Sequence, residues 1–153
     1  MAYRTILLAY DGSPEGRRAL LEGVEIAKHF KAKTHLLAVI SGVAGTHVAQ
    51  GMSNAEPMER TLFHRNTVDE GVRYIKRHGL VAEGHTVHGE PVEEIVKHAK
   101  QLAADLVVIG HREEGSLFRW WVTPTSQSLL EKLGCSLLVG RQECDDSVLG
   151  SGI

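Results

Sequence analysis

Two stretches of the chain carry apolar side chains on both faces, which is typical of strands buried in the middle of a parallel sheet. The first spans residues 3–10 and stops at Asp11, and the second spans residues 105–110 and stops at Gly110. A loop rich in Gly, Ser, Arg and Trp then runs to Thr125. Because α/β proteins build anion and nucleotide sites where a buried strand feeds such a loop, we expect any functional crevice to lie between these two strand ends.

Strand-like and helical patterns alternate along the whole chain. Strands are predicted over residues 3–10, 34–40, 81–87, 105–110 and 136–140, and helices over residues 14–31, 58–78, 91–102 and 124–133. The third strand alternates apolar and polar residues, as a half-exposed strand near a sheet edge does. Since no hairpin signal joins two strands, we predict an α/β fold with right-handed crossovers and a parallel, doubly wound sheet.

Two segments carry more specific expectations. The last helix is predicted to turn Leu129, Leu130 and Leu133 inward. Residues 41–57 are rich in Gly, Ser and Asn and show no sustained period, so they are predicted to form a mobile connection and a candidate lid.

Length and composition limit the class of protein. A chain of 153 residues is expected to form one domain, here residues 1–141, followed by a flexible polar tail over residues 142–153. The formal charge of −2 and the aromatic content of 5% disfavour nucleic-acid binding. No apolar run reaches the ~20 residues of a membrane span, and the N-terminus does not fit a signal peptide. Cys135 and Cys144 form no CxxC pair, so a cytoplasmic location is predicted.

The side chains that carry metal or catalytic chemistry show no convincing grouping. His85 and His88 are three apart on a predicted strand, so they point to opposite faces, and His111 has no neighbouring ligand pair. We therefore expect no metal site. Ser116 has no evident base and Cys135 begins a core strand, so we expect no catalytic residue.

Four motifs occur in an order and spacing that resemble the universal stress protein family. They are Ala9-Tyr-Asp-Gly-Ser13, Gly89-Glu-Pro91, Asp105-Leu-Val-Val-Ile-Gly110 and Gly134-Cys-Ser-Leu-Leu-Val139. The resemblance covers residues 3–141. It implies a five-stranded parallel sheet of order 3-2-1-4-5 in a Rossmann-like sandwich of the adenine nucleotide alpha hydrolase type, with helices on both faces. Asp11 and Gly110 would then flank the topological switch point, where such folds bind ligands.

Family members that bind ATP carry a strand-four glycine, two residues, a second glycine, nine residues and then Gly-Ser or Gly-Thr. The adenine side of that pattern is matched by Asp11, Val39, Ile109 and Gly110. The phosphate side departs from it, since Glu113 replaces the second glycine and Thr123-Pro124 replaces Gly-Ser. A carboxylate repels phosphate, and a β-branched residue resists the positive φ that glycine adopts freely.

Other residues of the loop offer compensation. Gly115 could supply flexibility through a shifted loop, and Arg112, Arg119 and Thr125 are candidates to restore contacts with a phosphate. With them, the candidate nucleotide-binding residues are Asp11, Val39, Ile109, Gly110, Arg112, Gly115, Thr123 and Thr125. The ligand they predict is ATP or the smaller AMP.

Three functions fit these features. The first is a homodimeric regulatory module with an adenine-nucleotide crevice, paired through residues 135–141 as the resemblance implies. The second is a slow nucleotide hydrolase at the same crevice. The third is a dimer that binds no nucleotide and acts through protein partners, with its crevice filled by Glu113, Trp120 and Trp121. No metal-binding carboxylate pair and no catalytic lysine stand near Gly110, which favours a module over an enzyme.

Overall fold

The computed structural model describes residues 2–10, 14–40, 57–110 and 129–140. Five strands and four helices lie in this part of the chain. In chain order they are β1 (Thr5–Ala9), α1 (Pro14–Phe30), β2 (Lys33–Ile40), α2 (Pro57–Arg77), β3 (Ala82–His88), α3 (Pro91–Gln101), β4 (Leu106–Gly110), α4 (Leu129–Lys132) and β5 (Ser136–Gly140). The predicted bounds of the strands and of the first three helices differ from these by no more than two residues.

The five strands form one sheet in the order β3-β2-β1-β4-β5, and every pairing is parallel. The predicted fold class and strand order are therefore confirmed. β3 lies at one edge with mostly part-exposed residues, as its alternating sequence predicts. The parallel pairing follows from the helical crossovers, because each helix returns the chain to the amino end of the sheet before the next strand begins.

Helices cover both faces of the sheet. On one face, α1 and α2 pack over a core that includes Leu8, Leu36 and Val108. On the other face, α3 and α4 pack over a core that includes Leu7 and Val107. Successive strand residues point to opposite faces, so a central strand must be apolar at every position to supply both cores.

The short helix α4 corrects one prediction. Leu129 is buried and Leu133 is half-buried against the second core, but Leu130 is 56% exposed. Residues four apart share a helix face, whereas the next residue lies about 100° further round. A helix of this length can therefore bury Leu129 and Leu133 but not Leu130. The rest of the predicted helix, residues 124–128, lies outside the described residues.

Candidate functional site

β1 and β4 are neighbours although two other strands come between them in the sequence. Leu7 pairs with Val107 and Leu8 with Val108, so both strands end at the same edge of the sheet. From β1 the chain crosses to β2 on one side, while β5 lies on the other side of β4. This is the switch point at which open parallel sheets leave a crevice. The predicted adjacency of the first and fourth strands is confirmed.

Three of the eight predicted nucleotide-binding residues lie in the described part of the chain, and all three lie at this edge. Ile109 is buried and Val39 is half-buried against the same core under α3. Gly110 is buried and pairs with Gly140. Leu37 pairs with Ala9, the last residue of β1, so Val39 lies two residues beyond the level at which β1 ends. Val39 and Gly110 therefore flank the end of β1 from opposite sides.

The other five predicted site residues lie outside the described residues. They are Asp11, Arg112, Gly115, Thr123 and Thr125. Glu113, the two tryptophans, the candidate lid and the predicted tail also fall there, except that Pro57 begins α2. The described edge is the side that the resemblance assigns to adenine.

A second group of polar side chains lies on β2 and on the edge strand β3. Nδ1 of His35 on β2 is 3.0 Å from Nε2 of His85 on β3, and 3.6 Å from Oε2 of Glu83. His35 is 2% exposed, whereas Glu83 opens to solvent. Oε1 of Glu83 forms a 3.0 Å ion pair with Nζ of Lys33. The prediction that His85 and His88 point to opposite faces agrees with the contact of His88 with Thr61 on α2.

Sequence reasoning missed this group because it compared His85 only with its near neighbours. The partner histidine is 50 residues away, and it lies close because Leu37 of β2 pairs with His85. Alternation within each strand then puts His35, Glu83 and His85 on one face. The alternation of residues along each strand is visible in the sequence. It predicts this group only when the register of β2 against β3 is also known.

Burial sets the protonation of the two histidines. Removal from water lowers the pKa of His35 and of His85, because the charged ring is solvated less well there. Each pKa is lowered further by a neighbouring histidine, His85 for His35 and His98 for His85. The hydrogen bond from Lys33 lowers the pKa of Glu83. At neutral pH the group thus consists of two neutral imidazoles and one carboxylate.

Comparison with known proteins identifies the architecture. The model of the universal stress protein family matches residues 2–141. The chain belongs to the universal stress protein family. The match runs through all five strands of the sheet and confirms the resemblance seen in the four motifs.

Relatives in this family are distant in sequence but alike in length. Universal stress protein YxiE of Bacillus subtilis is 26% identical over 147 residues, covering 91% of this chain and 99% of the relative. A universal stress protein from Archaeoglobus fulgidus in complex with dAMP superposes with a TM-score of 0.66 at 23% identity, covering 91% of this chain and 98% of the other. A universal stress protein in complex with cAMP gives 0.67 at 21% identity, covering 91% and 97%. These structures share the fold of this universal stress protein.

Among the described residues of this family member, no helix is both long and apolar enough to cross a bilayer.

Proposed function

We propose that this universal stress protein is a regulatory module that binds an adenine nucleotide at the carboxyl ends of β1 and β4. The observation that carries the proposal is the parallel pairing of Leu8 with Val108, which joins two non-consecutive strands and creates the switch point. The nucleotide-bound relatives support it, since two proteins of the same fold are complexes with dAMP and cAMP.

The geometry of the edge suits a purine base. Neighbouring strands lie about 4.8 Å apart, so β2 and β4 flank the end of β1 with about 10 Å between them. Val39, which is only half-buried, supplies apolar surface, and the buried Ile109 packs into the same core beside it. We assign the adenine to the space between Val39 and Gly110, with Asp11 as the polar contact that orients the ring or the ribose.

The phosphate side favours a short phosphate chain. Glu113 replaces a glycine of the ATP-binding pattern, and its carboxylate repels each added phosphate charge. At about 4 Å this repulsion is worth roughly 1 kcal/mol in water and more when shielded, or about a fivefold loss of affinity or greater. AMP is therefore the proposed ligand, ahead of ATP.

Titration calorimetry with AMP and with ATP tests the proposal. We expect AMP to bind at one site per chain, and ATP to bind more weakly. Glu113→Gly should tighten ATP by about fivefold while changing AMP less. Asp11→Ala should weaken both ligands, because it removes the contact to the base or ribose that they share.

Asp69→Ala is the matched control, since Asp69 is an exposed aspartate on α2 and away from this edge. If neither nucleotide binds, or if Asp69→Ala weakens binding as much as Asp11→Ala, the crevice is not the site. The hydrolase alternative is checked in the same samples, because turnover of ATP would release inorganic phosphate.

We further propose that the module is a homodimer paired through β5. This strand is an edge of the sheet, and Leu137, Leu138 and Val139 remain only half-buried along it. An edge of this kind exposes unpaired backbone groups together with apolar side chains, and a second copy would cover both. The same edge in each copy gives a closed twofold pair.

A further inference from the structure

We propose that His35, Glu83 and His85 form a binding site for a zinc(II) ion that ties edge strand β3 to β2. One ligand atom from each of these residues lies within 4.8 Å of the others. The site goes beyond the proposed nucleotide crevice and does not depend on it. Val39 lies four residues further along β2 than His35, which is about 13 Å of extended strand.

The strand register brings the three ligands together. His35 pairs with Glu83 across the parallel β2–β3 ladder, and Leu37 pairs with His85. Since residues two apart on a strand share a face, the two β3 ligands stand next to each other beside the β2 histidine. Two strands, rather than a loop, therefore fix the positions of all three side chains.

The distances suit tetrahedral zinc. Zinc bonds to nitrogen and carboxylate oxygen are about 2.0–2.2 Å, so two ligand atoms of a tetrahedral ion lie about 3.3 Å apart. The measured separations, 3.0 Å from His35 Nδ1 to His85 Nε2 and 3.6 Å to Glu83 Oε2, bracket that value. Small side-chain adjustments would place an ion between them. Two imidazoles and one carboxylate are also a set that binds zinc in proteins, with a fourth position left for water.

The protonation of the group favours a cation. Metal binding requires deprotonated ligands. Burial lowers the pKa of both histidines, and Lys33 lowers the pKa of Glu83. The rings are neutral and Glu83 is ionised, so an ion needs only that the proton shared between Nδ1 of His35 and Nε2 of His85 move to the other nitrogen of its ring.

Neighbouring side chains complete an outer layer. Lys33 holds Oε1 of Glu83 and leaves Oε2 turned towards His35. On α3, Nδ1 of His98 is 2.8 Å from the backbone oxygen of Glu94, so this nitrogen carries the proton. The ring of His98 lies 5.9 Å from that of His85, centroid to centroid. Lys33 opposes an ion through its positive charge.

Titration of the full-length protein with zinc chloride, after removal of metals with EDTA, tests the site. We expect one zinc per chain, and a rise in the melting temperature on saturation, since an ion that binds only the folded state stabilises it. Glu83→Gln and His85→Gln should each weaken binding by at least about 100-fold, because even outer-layer residues are worth 10–100-fold. Glu83 is exposed, so Glu83→Gln tests the site without risk to the fold.

Two further variants separate this site from binding by other histidines. His88→Gln removes a histidine from the same strand on the opposite face, and zinc affinity should stay unchanged. Lys33→Gln keeps a hydrogen-bond donor but removes the charge about 5 Å from the ion, so it should tighten zinc by about tenfold. Absence of stoichiometric binding would overturn the proposal. So would equal losses in His88→Gln and His85→Gln, or wild-type affinity in Glu83→Gln.

Discussion

The backbone N–H of Thr5 donates a 3.0 Å hydrogen bond to Oδ2 of Asp105, a carboxylate 100 residues further along the chain. The same oxygen accepts a 2.8 Å bond from the N–H of Arg4, and the N–H of Asp105 donates to the carbonyl of Thr5. These bonds hold the amino ends of β1 and β4 in register. The crevice at their carboxyl ends therefore depends on a contact at the other end of the sheet.

Replacing this carboxylate should loosen the pairing. We expect Asp105→Ala to lower the free energy of unfolding by about 1–3 kcal/mol, because it leaves the N–H of Thr5, in a part-buried position, without its partner. Urea denaturation measures the loss. Asp105→Asn keeps an acceptor oxygen and should lose less. Equal stability of Asp105→Ala and the wild type would show that the bonds do not hold the strands.

The residues that follow α2 and α3 include one each with a left-handed backbone, but one is a glycine and the other an alanine. Gly79 follows α2 with a φ of +78°, whereas Ala103 follows α3 with a φ of +50°. Gly79→Ala should cost about 1 kcal/mol, although no atom lies within 4 Å of the added carbon. Ala103→Gly should stabilise by about 0.5–1 kcal/mol for the same reason.

Gly134→Ala is the control for this pair, because it also adds a carbon to open space but has no positive φ. Its unfolding midpoint should match the wild type or exceed it. If Gly79→Ala and Gly134→Ala behaved alike, backbone strain would not be the cause.

The thiol of Cys135 should react slowly. Burial raises its pKa, and the carboxylate of Asp105 raises it further. The folded protein therefore holds less reactive thiolate at a given pH than the unfolded chain does. In a Cys144→Ser background, alkylation by iodoacetamide should be slower in native protein than in urea. Faster alkylation of the native protein would contradict the assignment.

The raised pKa of Cys135 makes the free energy of unfolding depend on pH. Because the folded pKa lies above the ordinary value of 9.0, the unfolded chain loses its proton first as the pH rises. The folded state then binds more protons, so stability is full below pH 9.0 and falls above it. Cys135→Ala should reduce that fall, as measured by urea denaturation on both sides of this pH.

The open edge of β5 can be tested with proline. The N–H of Ser136 donates towards β4, to the carbonyl of Asp105, so alternation turns the N–H of Leu137 outward. Leu137→Pro should remove the outward N–H from the proposed dimer interface and leave the hydrogen bonds to β4 in place. Light scattering should then report a monomer. Leu138→Pro removes a donor to β4 and should unfold the protein. A wild-type monomer, or a dimer that survives Leu137→Pro with its strands intact, would exclude this interface.

Local sequence patterns predicted the strands and most of the helices, and the family resemblance implied the order of the strands. Uninterrupted apolar runs such as Leu106–Ile109 identify buried strands, and Gly89-Glu-Pro91 marks the start of α3, because local sequence decides these features. Leu130 was wrongly assigned to the core, since in a helix of one turn the inward face depends on where the helix begins. His35 and His85 come together through a strand register, which no single segment encodes.

The nucleotide site was predicted from motif positions and from the strand order. The strand order is now observed, and it brings Val39, Ile109 and Gly110 to one edge. The contacts of Asp11, Arg112, Gly115, Thr123 and Thr125 stay predictions, because they depend on loop conformation rather than on the sheet.

The central claim is that adenine lies between β2 and β4 at the end of β1. An amide NMR titration of the labelled protein with AMP tests it most directly, because it locates the ligand residue by residue. We predict that the amide signals of Val39 and Gly110 shift as AMP is added, while that of His35, four residues back along β2, stays in place. Shifts confined to His35 and His85, or no shift at Val39 and Gly110 at saturating AMP, would contradict the account.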